Sequence, residues 1–308
     1  MRLVFCGTPE FAVPTLRAVA AAGHEVALVV TQPDRAAGRG LAAHASAVKR
    51  AAMELGLEVA QPERIRNNAE FEATLRAIAP EAIVVVAYGR MIPAWMLELP
   101  KNGNINLHAS LLPKYRGAAP IQWAVAEGET VTGNTTMLLN EGLDTGGILL
   151  QSRVEIGAEQ TAAELFPALA ADGAQLMVKT LEGLTAGAMV PRAQDDAQAT
   201  HAPLLTREDG RMDFSHEARV LFNRWRGFQP WPGAHTTWNG ARLSVHRMAV
   251  AEDVSAEPGT LVVREGFVFV GCANGTALQL DEVQIEGRKR MSAAEFLRGQ
   301  KTVERLGQ

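Results

Sequence analysis

The chain has 308 residues, of which 47% are hydrophobic and 21% charged, with a formal net charge of -4. That length suits one large or two moderate cores, and the negative balance excludes a protein that coats nucleic acid by charge alone. Two cysteines, Cys6 and Cys272, are too few and too far apart for a disulfide scaffold or a zinc site, so a reducing, cytoplasmic setting is expected. The opening MRLVFCGTPEF is too short in apolar residues for a signal peptide, and no later run approaches the roughly 18 needed to span a bilayer.

In chain order, short β-branched runs alternate with helical patterns: RLVFCGT, FAVPTLRAVAAAG, EVALVVTQ, a helix near Ala47 to Leu55, AEFEATLRAIAP and AIVVVAYG. Such alternation reads as βαβ units on a parallel sheet. The wholly apolar Val26 to Val30 and Ile83 to Ala87 suit inner strands covered on both faces. A glycine follows the first strand, but the turn reads GTPEFAVP. It carries a proline and a bulky Phe11 where a dinucleotide cradle needs G-x-G-x-x-G, so the sheet is Rossmann-like without the phosphate site.

Thr161 to Leu184 carries a long helical pattern that Pro167 and Gly173 interrupt without ending. Ala186 to Pro203 is small and polar with no sustained period, as in an interdomain linker. Then HEARVLFNRWRGF reads as a helix, followed by short strands closed at Asn239-Gly240, Glu265-Gly266 and Asn274-Gly275. That spacing favours a small barrel. The expected class is therefore α/β: a Rossmann-like parallel-sheet catalytic domain over residues 1–188, a linker over 189–206, and a smaller OB-like β-barrel over 207–308. Phe228, Trp231, Trp238 and Trp225 are expected mainly in the core of the second domain and its junction.

The stretch NINLHASLLPKYRGAAP places Asn106 and His108 two residues apart in a strand, so both project to one face while Ile105 and Leu107 project to the other. The turn after His108 marks a strand's carboxyl end, where ligands of open α/β sheets sit. A buried amide and imidazole can be satisfied structural groups. A second polar strand end, NEGLDTGG, tilts the balance, because glycines on either side let Asp144 approach a neighbouring site. No Ser or Cys occupies a strained nucleophile turn. His108 as proton acceptor, Asp144 as the group that orients and charge-stabilises the ring, and Asn106 as oxyanion donor suit direct acyl transfer to an amine.

N-x-H followed by SLLPKYRGAAP, with GLDTGG about thirty residues later, resembles the folate-dependent formyltransferase family. FCGTPEFAV, PDRAAGRG, VVAYGRMIP, FQPWPGA and GRKRMSAAEFLRG resemble its initiator-tRNA branch over essentially the full length. The resemblance implies 10-formyltetrahydrofolate as formyl donor, the α-amino group of methionine on initiator methionyl-tRNA as acceptor, and no metal. It further implies a monomer without membrane association, acting in the cytoplasm in translation initiation. It carries Asn106, His108 and Asp144 over as catalytic residues and assigns Ser110, Leu111, Leu112 and Pro113 to the folate site.

The loop Gln32 to Ser46 is long and broken by glycine and proline, and the resemblance places Arg35 and Arg39 at its basic positions toward the acceptor stem. Relatives commonly follow GRG with two lysines, whereas this chain has Leu41-Ala42. Arg288, Lys289 and Arg290 form a basic run that alone reads as a solvated face. On an OB-like barrel it becomes a candidate for phosphate contacts. Three other functions remain open: formyl transfer to an amino sugar nucleotide, which shares the site; hydrolysis of formylfolate, in which water replaces the amine; and a non-catalytic RNA-binding module, which has no need of the site.

Overall fold

The computed structural model describes residues 1–37, 42–298 and 305–307; for 35–37, 42 and 43 it describes the backbone. The chain folds as two compact units. One comprises Met1–Pro120, Val131–Glu155 and Phe166–Pro203, and the other Ile121–Thr130, Ile156–Leu165 and Leu204 onward.

In chain order the elements begin with β1 (Arg2–Gly7), α1 (Val13–Ala21), β2 (Glu25–Val30), β3 (Arg35–Ala37), β4 (Ala42–His44), α2 (Ala47–Glu54), β5 (Val59–Ala60) and α3 (Ala69–Ile78). They continue with β6 (Ala82–Val86), α4 (Ala94–Leu97), β7 (Asn104–His108), β8 (Arg116–Gly117), α5 (Pro120–Ala126), β9 (Val131–Leu138), β10 (Ile148–Glu155), α6 (Ala162–Thr185) and β11 (His201–Ala202). Seven of these strands form one sheet in the order β10-β9-β7-β6-β1-β2-β5. The five from β7 to β5 are parallel, and β9 and β10 extend the sheet antiparallel. The central strands read as continuous apolar runs because helices cover them: Val4, Cys6, Leu28, Val30, Ile83 and Val85 cluster with Phe71 and Leu75 of α3 and Met96 of α4.

Local signals fix the helix starts. The Ser46 hydroxyl accepts from the Lys49 amide ahead of α2, and the Asn68 side chain accepts from the Phe71 amide ahead of α3. Thr161 and Glu164 form a reciprocal capping box ahead of α6. Pro167 lies inside α6 without ending it.

The second unit adds α7 (Ala218–Gly227), β12 (Ala234–Trp238), β13 (Ala241–Ala251), β14 (Leu261–Arg264), β15 (Phe267–Gly271), β16 (Ala277–Ile285), β17 (Met291–Ser292) and α8 (Ala293–Arg298). Its strands pair antiparallel in the order β12-β13-β16-β15-β14, with β17 on β16. The hairpin residues Asn239-Gly240 and Glu265-Gly266 all have positive φ, as type I′ turns require. Register shifts at Val245 to Met248 bend the long β13, in keeping with a small barrel. Its core joins Leu243, Val245, Val270, Leu280 and Val283 to Leu221 and Phe222 of α7 and Phe296 of α8. Phe228 is buried, and Trp225 and Trp238 pack against the core. Trp231 departs from expectation, lying 51% exposed: it stands between Pro230 and Pro232, outside any strand or helix that could carry it inward. No helix among the described residues is long and apolar enough to cross a membrane.

Candidate active site

The carboxyl end of β7 delivers His108, 6% exposed, beneath the loop that carries Asp144. Its Nε2 lies 2.9 Å from the main-chain oxygen of Tyr115. A carbonyl oxygen only accepts, so Nε2 carries the proton and the lone pair of the neutral ring is on Nδ1. Nδ1 faces Oδ2 of Asp144 at 3.7 Å. A proton accepted on Nδ1 would face the Asp144 carboxylate, which can stabilise an imidazolium.

Asp144 and Tyr115 both have positive φ, 52° and 61°. A left-handed backbone is tolerated by aspartate and unusual for tyrosine, and it persists where neighbours determine it. At Tyr115 the Thr200 hydroxyl accepts the main-chain amide at 2.8 Å. At Asp144 the Gly117 amide donates to Oδ2 at 2.9 Å. Gly117 is required there twice over, for its φ of 126° and because a Cβ would meet the Ala202 oxygen at 2.5 Å.

Asn106 lies half-buried on β7, two residues before His108, and its side chain makes no hydrogen bond among the described residues. It is therefore a donor free for a ligand. Asn104, on the same face, is committed: its amide donates to the main-chain oxygens of Met96 and Leu97. On the opposite face Leu107 packs at van der Waals distance from Gly173 of α6, where a Cβ would come to 2.7 Å.

The loop after β7 is pinned to the two antiparallel strands. Thr135 of β9 accepts from the Leu112 amide and donates to the Ser110 oxygen, and Gln151 of β10 donates to both the Leu112 oxygen and the Thr135 hydroxyl. Ser110 is fully buried with its hydroxyl donated to the Lys114 oxygen, and Leu112 packs on Met137 and Ile148. Of the four residues Ser110 to Pro113, only Leu111 and Pro113 are more than marginally exposed.

Sequence reasoning missed Tyr115, Gly117, Thr135, Gln151, Gln194 and Thr200. One signal was present: Asn134, Thr135 and Thr136 lie in an inner strand at 0% exposure, and buried polar groups must direct their hydrogen bonds somewhere definite. For Gln194 there was none, since the segment around it has linker composition.

A cleft of about 470 Å³ opens where the loops after β5 and β6 meet, lined by Glu63, Arg64, Ile65, Arg66, Asn67, Arg90 and Met91. Both strands end at the same edge of the sheet as β7. Met91 is 78% exposed there, giving an apolar surface beside guanidinium groups.

The remaining candidates are basic residues away from this site. Arg288, Lys289 and Arg290 are exposed in the turn between β16 and β17. Arg290 donates to Nδ1 of His246 at 3.0 Å and lies 3.6 Å from Glu282. Arg35 begins the β3–β4 hairpin, with its side chain outside the described residues, and Arg39 and Leu41 lie outside them altogether.

The sequence profile of the formyl transferase family matches residues 1–181, and that of the formyl transferase C-terminal domain matches 204–301. The chain is 63% identical to the methionyl-tRNA formyltransferase of Acidobacterium capsulatum, over 97% of this chain and 96% of that protein. It is 54% identical to the methionyl-tRNA formyltransferase of Koribacter versatilis over the same shares of each. An N-formyltransferase from Helicobacter canadensis, solved with folinic acid and dTDP-3-aminofucose, has the same fold at a TM-score of 0.68 and 17% identity, covering 90% of this chain and 98% of that one. The chain belongs to the formyl transferase family, and within it to the methionyl-tRNA formyltransferases.

Proposed function

We propose that this chain transfers the formyl group of 10-formyltetrahydrofolate to the α-amino group of methionine on initiator tRNA, giving N-formylmethionyl-tRNA. The observation that carries the reading is the His108 ring, held with Nε2 on the Tyr115 oxygen and Nδ1 toward Asp144. A neutral amine attacking a formyl carbon must lose one proton as its C–N bond forms and the donor's C–N bond breaks. Nδ1 of His108 takes that proton, Asp144 stabilises the imidazolium, and the proton is then returned to the departing N10 of tetrahydrofolate, which regenerates the neutral ring. The uncommitted Asn106 amide donates to the oxygen on which charge develops.

The residues present suit a folate. Leu111, Pro113 and Met91 offer apolar surface for a flat ring system. Arg64 and Arg66 of the 470 Å³ cleft, which outnumber its one carboxylate, Glu63, suit the carboxylates of a glutamate tail, while Arg90 donates to the main-chain oxygens of Pro62 and Glu63. When bound, the donor supplies an activated formyl group, and the chain's part is to bind, orient and move the proton. Ser110 and Leu112 contribute to this site through their main chain and packing, since both side chains are buried.

On the acceptor side, Arg288, Lys289 and Arg290, with Arg35 and Arg39 of the hairpin loop, are proposed to contact tRNA phosphates. The Helicobacter canadensis neighbour, solved with an amino sugar nucleotide, keeps that alternative acceptor in view. The tRNA reading is preferred because 63% identity extends over both units, the C-terminal one included. The test is incubation with 10-formyltetrahydrofolate and charged initiator tRNA, followed by hydrolysis of the ester and mass analysis. N-formylmethionine is the expected product, and unmodified methionine would refute the reading.

A further inference from the structure

We infer that Gln194 is a positioning residue for this reaction, the clamp by which the segment 192–202 sets the Asp144 carboxylate against His108. The inference rests on the acyl-transfer reading of that site. Expected from sequence to be linker, the segment runs along the catalytic unit and fastens two loops at once. Arg192 exchanges main-chain hydrogen bonds with Ile148, each 2.8 Å, just beyond the Asp144 loop. Thr200 and His201–Ala202 hold Tyr115 to Gly117 through the Thr200 hydroxyl, the Thr200 oxygen and a short parallel pairing.

Gln194 lies between these two fastenings and bonds to both loops. Its amide nitrogen donates to the main-chain oxygens of Asp144 and Gly146, both at 2.8 Å. Its oxygen accepts from Nε and Nη2 of Arg116, at 3.0 and 2.8 Å. Two donors and two lone pairs are all that a primary amide offers, and all are engaged. Arg116 is buried and turns its remaining reach to Asp196, at 2.7 Å. The next residue, Gly117, is the donor to the Asp144 carboxylate. One side chain therefore ties the backbone of the carboxylate loop to the strand whose amide orients that carboxylate. An aspartate at positive φ, followed by Gly146 and Gly147, has little local reason to stay in place, and Gln194 supplies it.

Charge and shape separate this role from simple support of Arg116. Gln194→Glu keeps the size and still accepts both guanidinium bonds, yet has no proton to donate and sets a carboxylate against two carbonyl oxygens. Gln194→Met keeps the length and loses both sets of bonds. For both variants kcat should fall about 10- to 100-fold, the scale of a misplacement near 1 Å, with KM for donor and tRNA within about threefold of the parent. By amide hydrogen exchange, Gly117 should lose protection while Val84 and Ile105 of the central strands keep theirs. A Gln194→Glu protein with parental kcat and a protected Gly117 would overturn the clamp. If Gln194→Glu does not fold, Gln194→Met decides by the same readouts. If the parent protein transfers no formyl group, the reaction reading fails by itself. Gly117 exchange then decides the clamp alone, unchanged protection overturning it.

Discussion

The ring of His108 is oriented by a main-chain atom, the carbonyl oxygen of Tyr115 at 2.9 Å from Nε2. No side-chain substitution at position 115 removes that acceptor, whereas substitution of His108 removes the base itself. His108→Ala should lower kcat by about 10²- to 10⁴-fold, the usual share of a general base, with the protein still folded cooperatively but at a lower Tm, because the buried ring and its bond to Tyr115 are lost. Asn106→Ala should lose a comparable amount, because one donor to a developing oxyanion contributes about 10²- to 10³-fold. Asp144→Asn keeps the shape and loses the counter-charge, so steady-state kinetics should show kcat reduced and tRNA KM little changed. Near-parental turnover in all three would remove them from the chemistry.

Thr135 is a buried hub: its hydroxyl bonds Ser110, Leu112 and Gln151. Thr135→Val is nearly isosteric and orphans the Leu112 amide, at a cost of about 1–3 kcal/mol for an unsatisfied buried donor. Urea unfolding should show that loss. Because the pinned loop carries Leu111 and Pro113, KM for the formyl donor should rise as well. A loss of stability with an unchanged donor KM would detach this loop from donor binding.

For RNA, the three basic residues of the β16–β17 turn should not count equally. Arg288→Ala and Lys289→Ala should each reduce the salt slope of tRNA binding by about one unit. Arg290 should contribute less, since it is already engaged with His246 and lies near Glu282. In the hairpin loop, Arg39→Ala should lower kcat/KM for charged tRNA, and Leu41→Lys with Ala42→Lys should raise it chiefly at low salt. Kinetics across a salt series tests both sets, and identical slopes throughout would return them to a merely solvated face.

Gly227, near the end of α7, allows a close approach to α5: a Cβ would meet the Ala126 amide nitrogen and the Gln122 oxygen, both at 2.6 Å. Backbone cannot yield as a side chain can, so Gly227→Ala should destabilise the protein by about 1–3 kcal/mol through overpacking. A denaturant midpoint equal to the parent's would show that the helices separate freely there.

Much of the fold was legible because its signals are local. The apolar runs at Val26 to Val30 and Ile83 to Ala87 became β2 and β6, and Asn239-Gly240 became a hairpin turn, each fixed by a few adjacent residues. Asn106 and His108 share a strand because period-two alternation places them so. The antiparallel direction of β9 was not legible, since strand direction depends on partners far away in sequence. Gln194 was hidden for a similar reason: its value lies in four hydrogen bonds to residues about 50 and 80 positions earlier, and nothing in a small, polar, aperiodic segment announces such contacts. Trp231 was misjudged by residue type, because an aromatic side chain between two prolines outside any regular element is not carried into a core by its hydrophobicity alone.

The most direct test of the whole account is the initial rate of formyl transfer from 10-formyltetrahydrofolate to charged initiator tRNA, measured with free methionine and an amino sugar nucleotide as competing acceptors. The account predicts formylation of the methionyl-tRNA amine, undiminished by millimolar competitors and slowed about 10²- to 10⁴-fold in His108→Ala. Preferential formylation of the amino sugar nucleotide, or transfer to tRNA at a near-parental rate in His108→Ala, would contradict it.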